Sequence, residues 1–78
     1  MNYNKVMTGE VKFAAIQFAQ ACIDMNTVGE LRYGLEFPDV TSMKDWGLTK
    51  FEYEWALGAA IYALETGGSI MDDGRVVI

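Results

Sequence analysis

The sequence predicts a small α+β protein that is mainly helical and ends in a small β element. Two segments, about residues 9–26 and 50–66, repeat apolar residues at helical spacing. The stretch between them is interrupted by glycines and by Pro38, which limits it to one or two short helices. The last segment, about residues 69–78, places short apolar runs on either side of Asp73-Gly74, a strong hairpin signal. All of this fits one domain.

The first predicted helix has Thr8 as its N-cap and Asn26 as its stop. Its pattern is amphipathic, with glutamines and acids opposite an apolar arc. That arc consists of Val11, Ala14, Ala15, Phe18, Ala21, Cys22 and Met25. Phe13 falls among the polar residues, and Ile16 and Ile23 lie at the border. An apolar ring on the polar side is a candidate for contact with another molecule.

The middle of the chain carries a capping box, because Glu30 follows Thr27 by three residues. A short helix is therefore expected from there to about Glu36, ending before Pro38. Residues 42–46 are expected to form one further turn, closed by the glycine that follows.

Thr49 and Glu52 form a second capping box, which opens the longest predicted helix. It should end at Gly67-Gly68 and be followed by the hairpin, with strands at residues 70–71 and 75–78. Residues 3–7 are a possible third strand.

This last helix has two apolar stripes on roughly opposite sides. The first consists of Tyr53, Ala56, Leu57, Ala60 and Leu64. The second, named here the aromatic stripe, consists of Phe51, Trp55, Ala59 and Tyr62. A helix with two apolar sides is packed between two layers. Two alternatives remain open: the chain's own first helix and hairpin cover the stripes, or a second copy or another protein covers the aromatic stripe.

Charge narrows the classes of partner. The chain has eleven acidic and six basic residues and a net charge of −5, which argues against nucleic-acid binding. The carboxylates expected around the aromatic stripe could steer a basic partner electrostatically. They are Glu52, Glu54, Glu65, Asp72 and Asp73.

Enzyme chemistry has little support in the sequence. The chain has no histidine, and its single cysteine, Cys22, falls on an apolar arc where a core role is expected. Asp72 and Asp73 lack the ligand spacing of a calcium loop, and no glycine-rich segment has phosphate-binding spacing. We therefore expect no cofactor, no metal and no catalytic residue. With no membrane span or signal-peptide core, a cytoplasmic location is expected.

The stretch TSMKDWGLTKFEYEWALGAAIYALETGGSIMDDGRVVI resembles the second half of a winged helix, with a short helix, a longer helix and a hairpin. The resemblance covers about half the chain and implies a DNA-reading helix. However, the positions where winged helices present basic and polar residues carry Phe51, Glu52, Tyr53 and Glu54. The resemblance therefore implies a surface suited to protein contacts.

The function expected from the sequence is a non-enzymatic protein–protein interaction module that forms a homodimer. Its profile is similar to that of the small acidic inhibitors and host-takeover proteins of bacteriophages, which cover a surface on a larger protein. Phe51, Trp55 and Tyr62 are the predicted interface anchors, with Phe13 in a secondary role. The alternatives are a winged-helix-like transcription regulator and an accessory subunit of a larger enzyme.

Overall fold

The computed structural model describes residues 13–78, which form four helices followed by an antiparallel hairpin. The elements are α1 Phe13–Met25, α2 Val28–Glu36, α3 Val40–Trp46, α4 Lys50–Thr66, β1 Ser69–Ile70 and β2 Val76–Val77. This arrangement confirms the predicted α+β class. The start of the first predicted helix, with Thr8, and the possible strand at 3–7 lie outside the described residues.

Both predicted capping boxes form. The Glu30 amide donates to the Thr27 hydroxyl (3.2 Å), and the Thr27 amide donates to the Glu30 carboxylate (2.8 Å). The same two bonds join Thr49 and Glu52, at 3.1 and 2.8 Å. Each box satisfies backbone donors that a helix start otherwise leaves unpaired. Residues close to Thr27 and Thr49 in the sequence therefore determine where α2 and α4 begin.

The third helix is longer than the turn predicted at residues 42–46. It begins at Val40, because Asp39 acts as the N-cap and accepts a hydrogen bond from the Ser42 amide. It ends at Trp46 and is capped by Gly47, whose φ of 67° is readily adopted by glycine.

The longest helix, α4, lies between the other elements and contacts α1, α2 and both hairpin strands. Its buried residues surround the helix instead of lying on one face. They are Glu52, Tyr53, Trp55, Ala56, Leu57, Gly58, Ala59, Ala60, Ile61 and Ala63. Small side chains allow neighbouring backbones to approach closely, and α1 contributes Ala15 and Ala19 to the same core. The chain itself therefore covers the middle of both stripes.

The buried arc of α1 is rotated from the predicted one. Ala19 and Ile16 are buried, although neither belonged to the predicted arc, whereas Met25 is 78% exposed. The reason is that α4 covers the Ala15–Ala19–Cys22 line, while the hairpin reaches Ile16 beside Gly74. Met25 is the last residue of α1 and extends beyond this contact.

The hairpin closes the core against α1 and α4. Its strands pair Ile70 with Val76, slightly shorter and shifted from the predicted strands. The Gln20 side chain donates to the Ile70 carbonyl (2.8 Å) and to the Asp72 carboxylate (3.2 Å), which ties the hairpin to α1. At Gly68, a Cβ atom would lie 2.6 Å from the Val77 carbonyl oxygen, so only glycine fits without displacing the second strand.

Candidate functional site

Trp55, a predicted interface anchor, lies in the chain's own core. Only 7% of its surface is exposed, and its ring lies beneath the hairpin, near Gly74 and Ile16. In this fold its side chain is not available as a contact for another molecule. Of the two alternatives for the aromatic stripe, coverage by the chain itself applies at its centre, because the hairpin packs over Trp55.

The other predicted anchors are more accessible but separated. Phe51 is 63% exposed and Phe13 is 59% exposed, whereas Tyr62 is half-buried. Phe51 and Tyr62 are eleven residues apart on α4, or about 16 Å along its axis. Since Trp55 lies between them under the hairpin, they do not form one continuous aromatic face.

The predicted steering carboxylates differ in their surroundings. Glu52 is 5% exposed and holds the start of α4, so it is not a surface charge. Glu65 pairs with Arg32 and Asp73 with Arg75, each at 2.7 Å, which offsets part of their charge. Glu54 and Asp72 are exposed. The five predicted carboxylates therefore present less uncompensated surface charge than the sequence suggested.

A second exposed aromatic group, which the sequence analysis did not single out, lies where α2 meets α3. Tyr33 and Phe37 are 64% and 58% exposed, and their ring centroids lie 5.0 Å apart. Val40, at the start of α3, is 69% exposed. The available signal was the i, i+4 spacing of the two rings, which places them on one side of a helix.

This aromatic pair borders a groove of about 430 Å³, named here the corner groove. Its volume is in the usual range of ligand-binding clefts. The residues that line the groove are Phe18 and Cys22 of α1, Asn26 just after it, Glu30, Leu31, Tyr33 and Gly34 of α2, Phe37 at the end of α2, Asp39 and Ser42 at the start of α3, and Tyr53 and Leu57 of α4. All four helices therefore contribute to it.

Tyr53 fixes the floor of the corner groove. Its ring stacks on Phe18, with centroids 5.9 Å apart, and Phe18 also contacts Trp46 at 5.2 Å. Its hydroxyl donates to the Gly34 carbonyl (3.3 Å) and accepts from the Asp39 amide (3.1 Å). A single buried side chain thus holds the connection between α2 and α3 against α4.

The charged groups that line the corner groove are both acidic. Glu30 and Asp39 contribute carboxylates there, and no lysine or arginine is among the described lining residues. Hydrogen bonds from the Ser42 side chain and amide lower the pKa of Asp39 below its ordinary value, so this carboxylate keeps its charge into mildly acidic solution. The groove combines apolar walls with negative charge.

Cys22 lines the same groove but lacks the properties of a nucleophile. It is buried, and this burial raises the pKa of its thiol from 9.0 to about 11. The group is a protonated thiol at neutral pH, and thiols react far more slowly than thiolates. It acts here as a small apolar residue.

Within residues 13–78, no group of three or more cysteine or acidic side chains is arranged to hold a metal ion. None of the described helices is both long and apolar enough to cross a bilayer. Comparison with protein-family models, curated proteins and solved structures found no match to this chain.

Proposed function

We propose that this chain is a non-enzymatic protein-binding module that modulates a larger protein by covering part of its surface. We further propose that it acts in the cytoplasm, in the manner of the small acidic inhibitors that bacteriophages produce. The analogy rests on size, on acidic charge and on the absence of histidine from the sequence. A larger enzyme that takes the chain as an accessory subunit would be a partner of the same kind.

One observation carries this proposal: large apolar side chains remain exposed although the described residues bury a core of seventeen apolar residues. Within residues 13–78 they are Phe13, Met25, Tyr33, Phe37, Val40, Trp46, Phe51, Met71, Val77 and Ile78. Large aromatic side chains are enriched at the buried centres of protein interfaces. Exposed apolar surface of this kind, set among carboxylates, supports contact with another protein.

The test is affinity capture from the native host with matched variants. The wild-type chain is compared with a Phe37→Ser, Phe51→Ser variant, and with a control carrying Thr41→Ala and Thr66→Ala at exposed polar positions. We expect one specific protein to be retained by the wild type and the control and lost with the aromatic variant. Retention that does not depend on the aromatic side chains would count against the proposal.

Self-association is a separate part of the proposal, and Phe51 and Phe13 are its candidate contacts. Light scattering after size-exclusion chromatography measures the mass directly. We expect a mass of two chains that falls to one in Phe51→Ser while the helical circular dichroism is unchanged. A single-chain mass for the wild type over the micromolar range would rule out the homodimer.

A winged-helix-like transcription regulator remains the second candidate, because the order α3, α4, β1, β2 follows the second half of that fold. The start of α4 offers little to support it, since Lys50 is exposed beside Phe51 and Glu54, and neither of these two residues complements phosphate. Titration with duplex DNA at two salt concentrations separates the candidates. Salt-sensitive binding would favour the regulator, and its absence would favour the protein-binding module.

A further inference from the structure

We propose that the corner groove is the docking site for an amphipathic basic helix of a partner protein, which inserts apolar side chains and places a lysine or arginine beside Glu30 and Asp39. This inference rests on the proposed function and names the chemistry of its partner. It also moves the contact from the aromatic stripe of α4 to the α2–α3 connection.

The apolar part of the argument comes from the walls of the groove. Leu31, Tyr53 and Leu57 form buried surface at its floor, while Tyr33 and Phe37 stand exposed at its border. An inserted leucine or phenylalanine would meet apolar atoms below and aromatic faces beside it. Such burial is the usual source of affinity at the centre of an interface.

The electrostatic part comes from charge complementarity. The lining carboxylates of Glu30 and Asp39 have no lysine or arginine beside them in the described lining. Of the described basic residues, Arg32 and Arg75 pair with Glu65 and Asp73. The other two, Lys44 and Lys50, do not line the groove. A cation from a partner would therefore meet two carboxylates, and it would also lie near aromatic faces, which attract lysine and arginine.

The backbone around the groove favours a helical occupant over an extended one. Its walls are formed largely by α1, α2 and α4, in which most backbone donors and acceptors are already paired within the helices. An extended peptide would find few main-chain partners there. A helix satisfies its own backbone and offers only side chains, as in other helix-in-groove complexes.

The first experiment uses a defined probe: a fluorescein-labelled peptide built only of leucine and lysine, with leucines three and four positions apart. Two control peptides replace every lysine with glutamate or every leucine with serine. Fluorescence anisotropy with the full chain measures the affinities. We expect the leucine–lysine peptide to bind and both controls to bind at least about tenfold more weakly. Equal binding of the serine peptide would overturn the apolar part, and equal binding of the glutamate peptide the electrostatic part.

Variants of the chain then locate the charge effect. Glu30→Gln with Asp39→Asn removes both groove charges yet keeps both helix caps, since Gln suits a capping box and Asn suits an N-cap. The matched control, Glu54→Gln with Asp72→Asn, removes two exposed charges that do not line the groove. We expect about a tenfold loss of peptide affinity only in the groove variant. Equal losses would mean that net charge alone attracts the peptide and would overturn the site.

Nuclear magnetic resonance of backbone amides in the full chain identifies the occupant and its position. We expect peptide-induced shifts to be concentrated at Leu31, Gly34 and residues 37–42. Shifts concentrated at Phe51, Tyr62 and the hairpin would overturn the groove as the docking site. If the same amides shift on dilution without peptide, the occupant is a second copy of the chain, which dilution releases. If the amides of residues 1–12 shift most on addition of peptide, the occupant is the chain's own N-terminal segment, which the peptide displaces. Either result would overturn the partner helix.

Failure of this inference is distinguishable from failure of the proposed function. If Phe51→Ser alone loses the host protein while Phe37→Ser and the Glu30→Gln, Asp39→Asn variant both retain it fully, the chain is a binding module whose contact lies outside the corner groove. If the peptide binds the groove as expected but no host protein depends on Phe37 or Phe51, the groove is real and the proposed function fails.

Discussion

The fourth and second helices differ sharply in how they are held. Ten of the seventeen residues of α4 are buried, whereas α2 buries only Leu31 of its nine. Packing on all sides holds α4. Besides Leu31, a few polar contacts hold α2: its own capping box and two bonds to α4, the Arg32–Glu65 ion pair and the hydrogen bond from Tyr53 to Gly34. The comparison separates a helix that stabilises the fold from one that presents side chains to solvent.

The largest expected effect on stability concerns α4, the helix that is held by packing. Trp55→Ala should lower the free energy of unfolding by about 3–5 kcal/mol, because it removes a buried indole beneath the hairpin. Phe51→Ala, one turn earlier on the same helix, should change it by less than about 0.5 kcal/mol, since that ring is exposed. Urea unfolding followed by circular dichroism measures both. Similar losses for the two variants would mean that Phe51 is also packed in solution.

A smaller effect is expected at Gly68, where the chain passes from α4 into the hairpin. Gly68→Ala places a Cβ atom 2.6 Å from the Val77 carbonyl oxygen, and a backbone atom can move only if the strand moves. We expect a loss of about 1–3 kcal/mol. Hydrogen exchange should show faster opening of the hairpin amides than of α2. Unchanged stability would show that the hairpin shifts freely on α4.

The two capping boxes allow α2 and α4 to be compared with the same substitution at the same position of each helix. Thr49→Ala and Thr27→Ala each remove a side-chain acceptor at a helix start, which costs about 1 kcal/mol in either place. We expect the loss at Thr49 to appear as global destabilisation, because α4 is the centre of the fold. The loss at Thr27 should appear mainly as local opening of α2 in hydrogen exchange. Identical exchange patterns would show that the two helices unfold as one unit.

The smallest effect concerns alkaline pH and Cys22. The folded-state pKa of this thiol is raised from 9.0 to about 11, so its contribution to stability is complete below pH 9 and is lost as pH rises through 11. Between pH 8 and pH 10 we expect wild type to lose about 1 kcal/mol more than Cys22→Ala. Comparing the two chains cancels the titration of lysines and tyrosines. Parallel pH profiles would contradict the raised pKa.

The sequence predicted those parts of the fold that depend on neighbouring residues. Thr27 with Glu30, Thr49 with Glu52, and Gly67 mark helix ends through local hydrogen bonds and backbone conformation, and the structure has them where expected. The N-cap at Asp39 was missed, because Pro38 and the aspartate read equally well as a loop. The two stripes of α4 were visible, but periodicity cannot say which element covers them, and the hairpin covers Trp55.

The candidate site was less predictable than the fold. Tyr33 lies in the predicted short helix and Phe37 directly follows it, but the two rings were not identified as a contact surface. The groove beside them depends on the placement of four helices. Glu30 was predicted as part of a capping box and Asp39 was not predicted as a cap, and the position of both carboxylates in the groove lining is visible only in three dimensions. Glu52 shows the reverse case: it was expected as a surface charge and is buried, whereas Glu30, at the equivalent position of the other capping box, is exposed.

The hydroxyl of Tyr53 couples binding in the corner groove to the stability of the core. Because it holds both Gly34 and Asp39, a guest that spreads the α2–α3 connection must break these bonds and disturb the ring stacked on Phe18. A guest that fits without spreading it leaves them intact and adds its own binding energy to the folded state. The melting temperature should therefore report the quality of fit, rising for a complementary guest and falling for one that wedges the helices apart.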